Sequence, residues 1–461
     1  MSTARLFIAA PLCAWLTLSP SQAGAQQPAP GSGSVTPAEP GARPLEQATG
    51  EPLTLEQAVA LAAGRNETAL AAQRRAEAAQ ARVARARAFF FPELSVTGNY
   101  TRRLHETVRE VEGQPVVIQR HDALGATATA RAVLFDARGF PLYRAAQLQG
   151  EAAGLDARES RRLVAFEAAD AFLTTLSAQQ VYEASQRRLE FTRQSLQDAK
   201  ARAGAGLAST NDVTRAELEL SVAEVQLAEA RGSADTSRIE LGFLLVSPVE
   251  GPLALPEPVL VEAARPAEGF SVLGQGAEER RLDILSARLK VQAQQASARE
   301  PLARLFPSLG ASAQYRLTNE AGLAGRTGDG FFGLDLTWNL FDGGERYAER
   351  REQVALAQAA ELEATALTRR VGVDIQRAQV QLTNAQAALR QSELASTQAR
   401  KNAEETGILY REGLSTALAV ADASLRLFEA EVAVARSRYM LGVALLDLRA
   451  AVGLDPLGKE P

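Results

Sequence analysis

Apolar residues fall on a three-four ladder twice in this chain. One ladder reads Val213, Ala216, Leu220, Ala223, Leu227, Ala230, Ala234 and Leu241, and the other reads Val420, Ala423, Leu427, Ala430, Val434, Ser437 and Leu441. Steps of three and four sustained over several turns make the a/d seam of a helix packed in coiled-coil fashion. Alanine at alternate rungs lets helix axes come close. The ladders are in register with each other, and each follows a Gly-Leu pair, Gly206-Leu207 and Gly413-Leu414. The last stretch carries a second seam, Leu418, Leu425, Val432 and Tyr439, seven apart. Two seams on one helix predict neighbours on both sides, as in a closed ring of helices, with a plain coiled-coil stalk as the alternative.

Between the helical stretches the period drops to two. Leu94, Val96, Gly98 and Tyr100 alternate with Ser95, Thr97, Asn99 and Thr101; after a polar loop, Leu124, Ala126, Ala128, Ala130, Ala132 and Leu134 alternate with Thr127, Thr129 and Arg131. A second pair follows: Leu309 to Leu317, then, after a Gly-rich loop, Leu334, Leu336, Trp338 and Leu340. Each run predicts a strand with one apolar and one polar face. Such a strand fits a soluble sheet with one buried face or a tilted bilayer crossing. The aromatics favour the bilayer: Phe89 to Phe91, Phe135, Phe306 and Phe341 sit at strand ends beside the helices, where an interfacial girdle belongs. Four strands cannot close a barrel around a channel, since small barrels already need about eight, so several chains must contribute.

The order is therefore repeated: helix, two strands, long helix, reversal, long helix. The first helix runs from Thr54, an N-cap with Gln57 three residues on, to about Phe89 before Pro92. The long helix from Phe140 to about Ala203, with Tyr182, Leu189, Leu196 and Ala203 seven apart, would measure roughly 90–95 Å. In the second half a helix runs from about Glu278 to Phe306-Pro307. The segments are a secretory signal at 1–25, a Pro/Gly-rich flexible leader at 26–52, a first repeat at 53–247, a linker at 248–270, a second repeat at 271–454 and a tail at 455–461. The signal is read from Arg5, the apolar run Leu6 to Leu18 and the small residues Ala23-Gly24-Ala25; Pro11 argues against a membrane anchor.

Composition narrows the function. A formal charge of −5 on 461 residues speaks against a nucleic-acid partner, which needs a concentrated basic face. Hydrophobic content is 46% but aromatics only 5%, which favours long helices over large globular cores. The one cysteine, Cys13, lies in the signal, so disulfides and thiolate chemistry are excluded from the mature chain. No catalytic constellation stands out. His105 and His121 flank the first strand–strand loop, and two histidines without cysteine make a poor zinc site; they read as polar loop residues. Glu349-Arg350-Arg351-Glu352 reads as a solvated helix face, and the Gly-rich runs lack the Lys-Ser/Thr of a phosphate cradle. No cofactor is expected.

In this order the motifs resemble the TolC family of outer-membrane efflux and secretion channels, over about residues 53–454. The resemblance rests on the tandem repeat, the Phe91-Pro92 and Phe306-Pro307 pairs, the Leu-Phe-Asp strand exits at Leu134 and Leu340, and the Gly-Leu reversals. It implies an α+β fold: a long α-helical coiled-coil barrel plus four transmembrane β-strands per protomer, completing a twelve-stranded barrel in a homotrimer. It also implies a passive exit duct in the outer membrane with its helical tunnel in the periplasm, serving a tripartite efflux or type I secretion system. Its partners would be a periplasmic adaptor, an inner-membrane transporter and outer-membrane lipid.

By the same resemblance Asp212, six residues after the first glycine, and Tyr410, three before the second, hold the periplasmic gate shut. Asp422 forms a ring of three carboxylates that attracts cations. The family's arginine two residues after the second glycine is Ser415 here, and a second ring aspartate is Ala419. The adaptor is expected to contact the reversals at Gly206, Leu207, Ser209, Thr210, Gly413, Leu414, Ser415 and Thr416. Exposed helix-start polarity is the alternative account of Asp212, Tyr410 and Asp422. The competing functions are a periplasmic coiled-coil adaptor or structural protein, which would need a compact lipoyl-like or barrel domain, and a secreted enzyme with helical insertions, which would need a site. Cargo selection lies with the transporter and is not written in the chain.

Overall fold

The expected repeat is present in a computed structural model that describes residues 52–111, 113–265, 274, 276–320 and 326–460. The signal and nearly all of the leader lie outside the described residues, as does part of the linker and of the Gly-rich loop between the second pair of strands.

The first repeat opens with two helices, α1 (Leu55–Arg65) and α2 (Glu67–Ala88), in place of one. Thr54 and Gln57 form the expected capping box. The break is Asn66, whose extended backbone ends α1 and whose side chain accepts from Thr68 N at 2.9 Å, capping α2. Its Nδ2 donates to Leu244 O at 3.2 Å, so a contact distant in sequence holds a bend that local pattern does not announce.

β1 (Glu93–Arg102) and β4 (Asp122–Phe135) follow, with a further hairpin between them, β2 (Thr107–Val111) and β3 (Gln114–Gln119). The stretch expected to be a polar loop thus contains two strands, turned at Gly113 with φ 78°. After β4 come α3 (Gly139–Gly204) and α4 (Thr210–Leu245), the first reversal lying between them. At 66 residues, α3 is roughly 100 Å long.

The linker contains α5 (Glu257–Ala263), held where Gln386 Nε2 donates to Ala263 O and Arg265 O, both at 2.7 Å. Leu53 pairs with Leu253, so the linker is stitched to the start of the first repeat. The helix expected from Glu278 to Phe306 is three: α6 (Ala277–Arg280), α7 (Leu282–Ser297) and α8 (Glu300–Ala303). Pro301 lacks the N–H a continuous helix would need.

β5 (Ser308–Thr318) and β6 (Gly328–Thr337) come next, then α9 (Glu345–Arg411) and α10 (Ala417–Ala451). β6 begins earlier than its alternation suggested and ends before Trp338 and Leu340. A Cβ on Gly328 or Gly330 would come within 2.8 Å of Tyr315, so these glycines make room for the ring across the strand pair. Trp338 instead donates its Nε1–H to Leu305 O at 3.0 Å.

The sheet order is β1-β4-β5-β6, all antiparallel. Register puts Leu94 opposite Ala130, Val96 opposite Ala128, Ala128 opposite Tyr315 and Ala311 opposite Leu334 on one face. Thr97 pairs with Thr127, Thr127 with Arg316, and Arg316 with Asp329 on the other. The four strands therefore share one continuous apolar face, and their other face is mostly polar, with Phe331 beside Gln314 as an exception. The apolar face is bare: Leu94 is 79% exposed and Val96 80%. Among the described residues neither β1 nor β6 has an outer neighbour.

The Leu-Phe-Asp exits start helices. Asp136 accepts from Arg138 N at 2.9 Å, and Asp342 from Gly344 N at 3.1 Å and Arg346 Nε at 2.5 Å. Gly139 leaves space at the first exit for Phe89 and Phe90, whose rings meet edge to face at 5.4 Å. The main core lies mid-way along α3 and α9 and at the C-terminal ends of α4 and α10, where Phe172, Leu241, Leu382, Leu445 and Leu448 are fully buried. Ladder rungs Ala223, Ala230, Ala234, Leu241, Val420, Ala423 and Leu441 are buried too. Among the described residues no helix is long and apolar enough to cross a membrane.

Candidate functional site at the helical reversals

Each reversal is built by a glycine in the left-handed region and a leucine after it. Gly206 has φ 71° and Gly413 φ 76°. Gly206 N donates to Ala203 O at 3.0 Å and Leu207 N to Arg202 O at 2.8 Å; Gly413 N donates to Tyr410 O at 3.1 Å and Leu414 N to Leu409 O at 2.8 Å. Both are Schellman ends, which satisfy carbonyls the helix leaves open. The following helices start on Ser209 and Thr416. Ser209 Oγ accepts from Asp212 N at 3.2 Å and Asp212 Oδ2 from Ser209 N at 3.1 Å, while Thr416 Oγ1 accepts from Ala419 N at 3.2 Å.

Gly206, Leu207, Ser209, Thr210, Gly413, Leu414 and Thr416 are exposed and Ser415 half-buried. The leucines are 79% and 76% exposed, unlike the usual Schellman leucine, which packs back on its own helix.

Asp212 and Tyr410 line the same narrow cleft, of about 20 Å³, together with Thr192, Glu219 and Ser424. The expected gate pair is thus brought together, but among the described residues no hydrogen bond joins the two. The Asp212 carboxylate serves its own helix's capping box, and Tyr410 meets Arg202, whose Cζ lies 4.4 Å from the ring centroid. Asp422 is elsewhere, exposed, with Arg426 Nε 3.7 Å away on the same helix.

Further up, a cluster that sequence reasoning missed ties the two halves together. Arg188 on α3 is buried, pairs with Glu219 of α4 at 3.3 Å and stacks on Phe428 of α10 at 5.1 Å. Burial pulls its pKa down while Glu219 and Glu429 push it up. Glu431 of α10 accepts from Arg187 of α3 at 3.0 Å and Arg400 of α9 at 3.2 Å. A signal was available: Arg188, Ser195 and Arg202 are seven apart, each just before a seam residue, where coiled coils place interhelical polar contacts.

His121 Nδ1 lies 3.1 Å from Arg103 O and His105 is exposed; among the described residues no hydrogen bond joins the two. Among the described residues no group of three metal-ligating side chains occurs.

A sheet with a continuous apolar face open to the surroundings, set on helices too polar to enter a bilayer, defines a membrane β-barrel subunit with a helical tunnel wall. Residues 58–245 and 273–454 match the family model for outer membrane efflux proteins. The chain belongs to this family. It is 27% identical over 416 residues to the cobalt-zinc-cadmium resistance protein CzcC of Cupriavidus metallidurans, covering 88% of this chain and 89% of that one. Among solved structures, the outer membrane protein VceC of Vibrio cholerae superposes with a TM-score of 0.71 at 19% identity, covering 87% of this chain and 96% of that one. The CmeC outer membrane channel of Campylobacter jejuni gives 0.70 at 15% identity, covering 87% and 85%. The protein is an outer-membrane efflux channel, with its strands in the outer membrane and its helices in the periplasm.

Proposed function

We propose that three copies of this chain close a twelve-stranded barrel and a ring of helices, forming the exit duct of a tripartite efflux or type I secretion system. The observation that carries this reading is the sheet, which among the described residues has two unpaired edges and one bare apolar face. Lipid covers the face, and strands of neighbouring copies complete the edges. The helices repeat the logic: Leu218, Val225 and Ile239 on α4, and Val373, Val380 and Leu394 on α9, form exposed stripes at multiples of seven residues, with the small residues Gly232 and Ala387 on the rungs between. These are open coiled-coil seams awaiting a helix.

The duct conducts passively and does no chemistry. An inner-membrane transporter supplies the energy, and a periplasmic adaptor grips the reversals at Gly206, Leu207, Ser209, Thr210, Gly413, Leu414, Ser415 and Thr416. Asp212 and Tyr410 line the entrance, and Asp422 contributes to a carboxylate ring inside it. The likeness to CzcC supports divalent metal cations as the cargo; loss of this gene should then lower tolerance of zinc, cobalt and cadmium and leave drug tolerance unchanged.

The deciding experiment is fractionation followed by electrophoresis without heating. Heat-modifiable trimers in the outer-membrane fraction are expected. A monomer recovered in soluble periplasm would overturn the reading and favour the adaptor or structural alternative.

A further inference from the structure

We infer that Arg202 is the latch of the entrance and that it holds Tyr410 by the ring face, not by the hydroxyl. The inference rests on reading the reversals as the channel entrance.

The latch joins the ends of two helices from different repeats. Arg202 lies in the last turn of α3, with its guanidinium over the Tyr410 ring and its Nη2 donating to Arg411 O at 2.9 Å. The last carbonyls of α9 show why that hydrogen bond matters. Those of Ile408, Leu409 and Tyr410 accept from Glu412, Leu414 and Gly413 of the turn itself. Among the described residues no backbone N–H of the turn reaches Arg411 O, and a cation from α3 fills the place, where the negative end of the α9 dipole also favours it. One planar side chain makes both contacts, which a lysine ammonium cannot do in the same way.

The duplication sharpens the point. Four residues before the reversal glycine stands Arg202 in the first repeat and Leu409 in the second; three before it stand Ala203 and Tyr410. Two corresponding turns have diverged into a cation on one hairpin and an aromatic ring on the other, and these now meet. Asp212 is engaged in its own capping box, and Ser415 carries no charge, so Arg202 is the cation that reaches the ring. The contact is half-exposed, unlike buried Arg188, so releasing it strands no buried charge. A partner that takes the Arg411 carbonyl or covers the Tyr410 ring would free α9 to move from α3.

The test is single-channel recording of purified trimers in planar bilayers, comparing Arg202→Ala, Arg202→Lys, Tyr410→Ala and Tyr410→Phe with the wild type. Equal trimer yields from the outer membrane guard against folding defects. Arg202→Ala and Tyr410→Ala should each raise the open fraction roughly tenfold, the scale of one exposed cation–π contact with one charged hydrogen bond. Tyr410→Phe should behave as the wild type and Arg202→Lys fall between. The latch is overturned if Arg202→Ala gates as the wild type does, or if Tyr410→Phe opens the channel as far as Tyr410→Ala. Wild-type trimers that never conduct would overturn the channel reading itself, and the latch with it.

Discussion

Three long helices of this chain end on the same two residues, and only two of those ends are free. Gly206-Leu207 closes α3, Gly413-Leu414 closes α9 and Gly453-Leu454 closes α10, each with a positive φ and the same pair of turn hydrogen bonds. At the first two the leucine is exposed. At the third, Leu454 is 8% exposed and part of the main core. The surroundings differ in the same sense. Around the end of α10, Arg162 donates to Leu454 O at 2.9 Å, Arg281 to Ala451 O at 3.3 Å and Arg280 to Val452 O at 3.4 Å. Arg449 reaches Glu262 of α5 at 2.7 Å and the carbonyl of Pro456. One helix end is thus fixed by arginines from several elements, whereas the end of α9 receives one arginine. The same local motif makes a hub in the core and loose ends at the tips, because a Schellman turn settles only the backbone.

If the end of α10 is the fixed hub, removing its buried guanidinium should be the most damaging change. Arg162 also pairs with Glu159 at 2.7 Å, with its own side chain 5% exposed. Arg162→Ala would leave the Glu159 carboxylate and the Leu454 carbonyl without their partner in a nearly dry site, at a cost of about 3–5 kcal/mol. Thermal unfolding of the isolated protein measures it. A loss below about 1 kcal/mol would mean that water replaces the arginine and that the hub is no firmer than the tips.

A sharper comparison changes one atom at each turn. All three glycines have φ values that cost an alanine about 1–2 kcal/mol. At Gly206 and Gly413 a Cβ meets nothing within 4 Å, while at Gly453 it would sit 3.0 Å from Arg281 Cγ and 3.1 Å from Arg281 N. Gly453→Ala should therefore destabilise by more than Gly206→Ala or Gly413→Ala, which should match each other. Equal losses at all three positions would show that backbone strain alone is felt and that the hub relaxes around the added carbon.

How far the sequence reveals these differences depends on the range of the forces involved. The Gly-Leu turns, capping residues and strand alternation are local, and Thr54, Ser209, Thr416 and the Leu94-to-Tyr100 face are legible from neighbours within a few residues. The features that escaped are fixed by distant partners. Asn66 breaks a helix because Leu244 O is there to receive it, and Gly328 and Gly330 read as a loop until Tyr315 lies across them. In the β2–β3 hairpin the apolar residues of the second strand run together as Val116-Val117-Ile118, so no period of two announces it. At the site, the sequence brought Asp212 and Tyr410 to one place through the family pattern. Arg202 went unnoticed because a single arginine near a helix end looks like any solvated charge until the second hairpin lies beside it.

Asp422 offers the smallest structural effect and so isolates conduction from folding. It is exposed, its one ion pair among the described residues is the long one to Arg426, and it does not line the cleft that Asp212 and Tyr410 share. Asp422→Ala should leave thermal stability within about 0.5 kcal/mol of the wild type. If three copies bring this carboxylate to one constriction, their summed field concentrates cations there. Removing it should lower single-channel conductance for cations and relieve block by added divalent ions, with the greatest change at low salt, where screening is weakest. Unchanged conductance and unchanged block would show that Asp422 is a solvated helix residue and that any selectivity at the entrance comes from other groups. Because Ala419 leaves the ring with one carboxylate per copy, the relief of block should be complete in this single variant, whereas a second ligand ring elsewhere would leave a residue of block behind.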